Sequence, residues 1–161
     1  MPRGVSKSTV AVIVVGIAVT IVAYSVFGIV FAYFGTAIDT DLPKGSFNFY
    51  RAVELIVSNR SPFALPFIVP IYSVGVRLVN ATRTVCTLDT VRGWLPCNET
   101  LGALGNIPAG EYRSAHALIT PGPENFTIEV DAYYSWFIPI RIATKSYECV
   151  YLGPGEYDIK G

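Results

Sequence analysis

Residues 121–132 read PGPENFTIEVDA, and this stretch decides the fold. Pro121-Gly122-Pro123-Glu124 is a strong turn, since two prolines fix φ around a permissive glycine. Beyond it Phe126, Ile128, Val130 and Ala132 alternate with Thr127, Glu129 and Asp131. Successive side chains of a strand point to opposite faces, so this segment is a strand with one apolar and one polar face. Such a face needs a second layer to cover it.

The same period recurs on both sides. In residues 67–79, Tyr72, Val74, Val76 and Leu78 fall on one face and Ser73, Gly75 and Arg77 on the other. Residues 47–58 read as a mostly buried first strand, 82–88 as a third, 111–120 as one opened by the Asn106-Ile-Pro-Ala-Gly turn, and about 138–151 as the last. Short strands with turn signals every ten residues or so predict a mainly β fold, a fibronectin- or immunoglobulin-like antiparallel β-sandwich.

Further toward the N-terminus the period disappears. Residues 8–38 carry no charge and no proline. As one helix, even residues 10–38 would span roughly 40 Å, against about 30 Å for a bilayer core. The expected organisation is a cytoplasmic N-terminus at 1–7, a transmembrane helix at 8–38, a linker at 39–46 and an extracytoplasmic sandwich at 47–161. The sandwich segment has enough apolar β-pattern to bury its own core without the helix. Arg3 and Lys7 precede the apolar run, and the positive-inside rule then places the N-terminus in the cytoplasm and the sandwich outside the cell membrane. Tyr33 and Phe34 would lie near the outer interface. A cleaved secretory signal is the competing reading, since Gly35 and Ala37 are small residues at suitable spacing, but the run is about twice a normal signal core. Gly28, Ala32 and Thr36 recur every four residues and would form a small-residue stripe suited to a second helix.

Four sequons follow the apolar run: Asn59-Arg-Ser, Asn80-Ala-Thr, Asn98-Glu-Thr and Asn125-Phe-Thr. With only six asparagines in the chain, chance gives about one match, so glycosylation on the outer side is expected at these residues. Pro62 directly after the Asn59 sequon weakens that site. Cys86 and Cys97 flank a turn-like segment, and an oxidising exterior permits a disulfide between them, contributing about 3 kcal/mol in the chain-entropy model. Cys149 is left as a buried free thiol, an intermolecular link, or the true partner of either other cysteine.

Little chemistry is legible. His116 is the one histidine, so any Ser-His or Cys-His pair would have to use it, and no nucleophile-elbow motif accompanies it. There is no Cys-x-x-Cys metal motif. Glu129 and Asp131 share a strand face, a pair that an exposed polar face explains more simply than catalysis. Tyr133, Tyr134, Trp136 and Phe137 form an aromatic cluster better suited to core packing than to contact with a ligand, a partner or the bilayer surface. Beyond residue 38 there are ten basic and twelve acidic side chains, a balance that argues against nucleic acid. No catalytic, cofactor or metal residue is assigned. The chain has no glutamine, one methionine, and eight arginines to four lysines, a composition that fits a thermophile; an archaeal source is expected.

Residues 54–80, ELIVSNRSPFALPFIVPIYSVGVRLVN, resemble the first half of the water-stress and late-embryogenesis-abundant sandwich domains. An apolar strand is followed by a polar turn, an aromatic and a strand carrying Tyr, places taken here by Asn59, Pro62, Phe63 and Tyr72. Asn106-Ile-Pro-Ala-Gly-Glu is similar to that family's turn into a later strand. The likeness covers residues 47 to about 148, with Arg60 and Ser61 separating Asn59 from Pro62 and the Cys86–Cys97 segment as an apparent insertion. It implies a seven-stranded sandwich without catalytic residues, serving stress protection or membrane-proximal binding. Arg3-Gly4-Val5-Ser6 before a long apolar helix also resembles the processing site of archaeal type IV pilins, cut after the glycine, although Lys7 at the third mature position departs from that pattern. The expected function is a membrane-anchored, non-enzymatic cell-envelope protein with structural or binding roles. Its partners are the lipid bilayer and other proteins met through the helix or the sandwich. The alternative is a self-assembling, pilin-like filament subunit.

Overall fold

A computed structural model of the chain describes residues 6–49, 52–61, 71–82, 101–135 and 138–161, and the backbone alone of 85–89 and 94–96. One helix is followed by eleven strands among these residues. The helix, α1, runs Lys7–Gly35 and begins at an N-cap, Ser6, whose side-chain oxygen accepts the Thr9 N–H at 3.2 Å. Its 29 residues give a length of roughly 43 Å. By length and composition it is able to cross a membrane.

The strands are β1 (Thr36–Thr40), β2 (Gly45–Asn48), β3 (Val53–Asn59), β4 (Ile71–Val79), β5 (Val85–Asp89) and β6 (Trp94–Pro96). They continue with β7 (Gly102–Gly105), β8 (Tyr112–Thr120), β9 (Phe126–Ser135), β10 (Pro139–Gly153) and β11 (Glu156–Lys160). They form two antiparallel sheets, ordered β1-β3-β8-β5-β6 and β2-β11-β10-β9-β4-β7. The expected sandwich is therefore present, preceded by one apolar helix. The seven strands implied by the family likeness fall short of it.

The alternating residues line the space between the sheets. Val53, Leu55 and Val57 face Tyr72, Val74 and Val76 and the β9 set Phe126, Ile128, Val130 and Ala132, all buried. Phe49, Phe126 and Tyr157 pack edge-on or tilted, with ring centroids 5.3–5.8 Å apart. Such aromatic pairs add to the area they bury. Gly155, at φ +77°, makes the tight turn between β10 and β11.

Three boundaries differ from the sequence reading. The helix stops at Gly35 instead of residue 38, and Thr36 enters β1 at once, so residues 39–46 are no free linker: they hold the end of β1 and the start of β2. β-branched Thr36, Ile38 and Thr40 suit a strand, and β1 finds a partner in β3 (Thr36 opposite Asn59, Thr40 opposite Leu55). The single strand expected at 47–58 is two, β2 and β3, in different sheets. Finally, the core does not begin at residue 47: Ala32 belongs to it and Ile29 packs against it, so the end of the helix is part of the sandwich.

Candidate functional site: the two ends of the sandwich

The sandwich has a helix end and a far end, and the expected functional residues divide between them. β4 starts next to the helix and β9 ends there, with Ile71 opposite Ser135; the same two strands put Val79 opposite Thr127 at the other end. At about 3.3 Å per residue, the ends of β4 lie roughly 26 Å apart.

At the helix end the junction is close-packed. The Gly35 carbonyl accepts the Arg60 N–H at 2.6 Å. A Cβ on Gly35 would lie 2.8–2.9 Å from Ser61 backbone atoms, so only glycine allows the helix this close to the turn after β3. Residues 6–23 are exposed on every side, whereas Gly28, Ala32 and Gly35 are buried. The small-residue stripe is thus real, but the chain's own sandwich covers it, and Gly35 completes it in place of Thr36, which lies in β1. Tyr72 and Tyr134 meet edge-on here, at 5.7 Å between centroids. Burial, then the neighbouring hydroxyls of Tyr72 and Tyr24, pushes the Tyr134 phenol up to about 12. Tyr24 lies in α1, so the helix reaches from the six-stranded sheet to the five-stranded one.

Asn59 sits in this junction. It is buried, its Nδ2 donates to the Ile107 carbonyl at 2.9 Å, and its Oδ1 accepts the Ser61 N–H at 3.0 Å. Nδ2 is the atom a glycan would join. Asn59 is thus a structural residue in the fold and not an accessible acceptor.

The other sequons behave differently. Asn80 is exposed just after β4 with φ +61°, a left-handed conformation that asparagine tolerates better than most residues. Asn125 is exposed just before β9; its Oδ1 accepts the Tyr151 N–H at 2.8 Å, and its Nδ2 makes no hydrogen bond among the described residues. Both belong to the far end, where the Thr82 N–H donates to Glu124 Oε1 at 2.6 Å and ties the two turns together. Asn98 lies outside the described residues.

Cys97 lies outside them too, and of Cys86 only the backbone is described. Thr87, next to Cys86, pairs with Pro96, next to Cys97. Cys149 is a buried free thiol, pushed up to about 12 by burial.

The remaining candidates are tied into the sheets. Glu129 is paired with Arg77, and Asp131 accepts from Thr144 Oγ1 at 2.6 Å with Arg141 at 3.9 Å. His116 is exposed on the outer face of the five-stranded sheet, in register with Glu54 and Asp89. Tyr134 is core, Tyr133 faces outward half-buried, and Trp136 and Phe137 lie outside the described residues. Among the described residues no three His, Cys, Asp or Glu side chains gather as a metal site.

No protein-family model matches this chain, and no curated protein matches it. One solved structure is similar, described as "AvmM Catalyzes Macrocyclization in Alchivemycin A Biosynthesis". It is 14% identical, covers 74% of this chain and 90% of that one, and has a TM-score of 0.42. A likeness at that level carries no argument about function.

Proposed function

We propose that this chain is a non-enzymatic structural protein of the cell envelope. The first two-thirds of α1 is held in the bilayer with the N-terminus in the cytoplasm, and the sandwich is carried outside, glycosylated at Asn80, Asn98 and Asn125. One observation carries the reading: residues 6–23 are exposed, and from Thr9 onward they carry no charge, a surface stable only in lipid or against other apolar helices. The placement of Asn80 and Asn125 at the end remote from the helix supports it, because a glycan there meets neither the membrane nor the core. Protease added to intact cells should digest the sandwich and leave a fragment of α1. Full protection of residues 36–161 would overturn the topology.

The pilin-like subunit is the second reading, and the close-packed junction is the observation that favours it. A tether needs no fixed geometry, whereas here the end of α1 packs into the sandwich through Ala32 and is hydrogen-bonded to it through the Gly35 carbonyl. Packing such helices side by side would fix the orientation of every sandwich. Intact mass separates the two: loss of the first four residues supports the filament subunit, and retention of Met1 or Pro2 at the N-terminus supports the anchored domain. The likeness to the late-embryogenesis domains rests on the pattern of residues 54–80, with Asn59, Pro62, Phe63 and Tyr72, and on the Ile107 turn, and Asn59 touches that turn in the fold; a binding role of that kind is the weaker reading.

A further inference from the structure

The docked third of α1 has a second apolar face. Gly28, Ala32 and Gly35 are buried against the sandwich, yet Val26, Phe27, Val30, Tyr33 and Phe34 on the opposite side are exposed, Phe34 at 81%. A helix lying on a water-soluble domain has a polar outer face. This one does not.

The strands around it repeat the pattern. Outside the helix, the exposed large hydrophobic residues among the described ones are Ile71, Tyr112, Ile138, Ile140 and Leu152. Four of these five lie at the helix end: Ile71 begins β4, Ile140 pairs with Tyr134 beside Ile138, and Tyr112 pairs with Ser58, itself opposite Ala37. Only Leu152 is at the far end. Exposed apolar side chains scattered over a surface need no explanation, but clustering at one end does.

Exposed and half-exposed arginines stand at the same end. At the helix end Arg60 is exposed, with Asp39 close enough to feel its charge, and the Arg113 and Arg141 side chains are about half exposed, Arg113 lying 3.4 Å from Glu111 and Arg141 3.9 Å from Asp131. The far end carries Glu124, Glu148, Glu156 and Asp158 against Lys44 and Lys160.

We propose that the helix end of the sandwich is itself a lipid-contact surface, seated in the headgroup layer of the outer leaflet. This rests on the reading of α1 as membrane-inserted. Because α1 leaves the sandwich at this end, chain connectivity already holds the surface against the bilayer. Tyr and large aliphatic side chains enter the interfacial zone, and arginines there meet lipid phosphates. The sandwich then does not swing above the membrane; it stands on it, with the glycan-bearing end outward.

The test uses the full chain reconstituted in phosphatidylcholine–phosphatidylglycerol vesicles doped with a phospholipid carrying a diazirine close to its headgroup. After irradiation, peptide mapping should find lipid adducts on α1 and also on Ile71, Ile138 and Ile140, with none on Leu152. In the double variant Ile138→Ser/Ile140→Ser, labelling of Ile71 should fall severalfold while α1 labelling and the thermal melt stay unchanged. Adducts confined to residues 7–23 would overturn this proposal and leave the anchor intact. No adduct anywhere would remove the anchor as well. Photo-crosslinks that join two copies through a benzoylphenylalanine placed at Tyr112, without lipid adducts at the helix end, would show that a second copy covers the surface instead.

Discussion

The Asn59 side chain donates to the carbonyl of Ile107 at 2.9 Å, joining the turn after β3 to the turn before β8. The backbone doubles the link: Gly110 N–H donates to the Asn59 carbonyl at 2.7 Å, and Asn59 N–H to the Glu111 carbonyl at 2.9 Å. A residue that reads as a glycan acceptor is therefore the clasp of the junction on which the helix rests.

Replacing Asn59 by Ala should cost about 2–4 kcal/mol, because it removes two buried hydrogen bonds and strands the Ile107 carbonyl and the Ser61 N–H. Denaturant midpoints measure this. The companion expectation concerns modification. Glycopeptide mass spectrometry of native protein should find Asn80 and Asn125 occupied and Asn59 bare, and a glycan at Asn59 in folded protein would contradict the buried clasp.

Gly35→Ala places a methyl group 2.8–2.9 Å from the Ser61 backbone. The clash is with main chain, so relief requires the helix to lift or the turn to shift, at about 1–3 kcal/mol. Gly16→Ala is the control: nothing lies within 4 Å of its Cβ. Thermal melts in a membrane-mimetic detergent should show a lower Tm for the first and none for the second.

Stability should decline on the alkaline side. The Cys149 thiol, 1% exposed, is pushed up to about 12 by burial, whereas in the unfolded chain it ionises near 9.0. Between those values the folded protein binds the extra proton, so the stabilisation is complete below pH 9 and is lost as pH rises toward the folded value. One such group gives a slope of about 1.4 kcal/mol per pH unit. Cys149→Ala should flatten the fall between pH 9 and 10 in urea titrations; an unchanged slope would mean that the thiol is not responsible.

Truncation bears on the junction directly. Read by composition, residues 39–161 suffice for a core. The structure instead builds Ala32 into the core and pairs Thr36, Ala37 and Ile38 with β3. A chain of 39–161 should therefore melt lower and bind a hydrophobic dye, while one beginning at residue 24 keeps the core intact. Equal, cooperative melts of the two would show that the helix end contributes little.

Peptide mapping under non-reducing conditions should recover Cys86 joined to Cys97 and Cys149 as a free thiol. The antiparallel pairing of Thr87 with Pro96 carries this expectation. A crosslink to Cys149 would require opening the core around a residue that is almost fully buried.

The alternation in residues 126–132 and 72–78 and the proline-free apolar run determine two apolar-faced strands and one long helix, and hence a mainly β domain after a helix. These signals are local: a strand repeats every two residues, and the pattern survives in the sequence whatever its partner. Which sheet a strand joins is not local. β2 and β3 sit close together in the chain yet enter opposite sheets, because Phe47 pairs with Tyr157 and Val57 with Arg113, residues far away in sequence. The same limit explains the site. Four sequons are legible as short motifs, but a motif does not report burial, and it is the return of Ile107 to the β3 turn that closes Asn59. The spacing of Gly28 and Ala32 likewise announces a close approach without naming the partner. Only the packing of helix on sandwich, set by Gly35 against Ser61, decides that the chain fills that stripe itself.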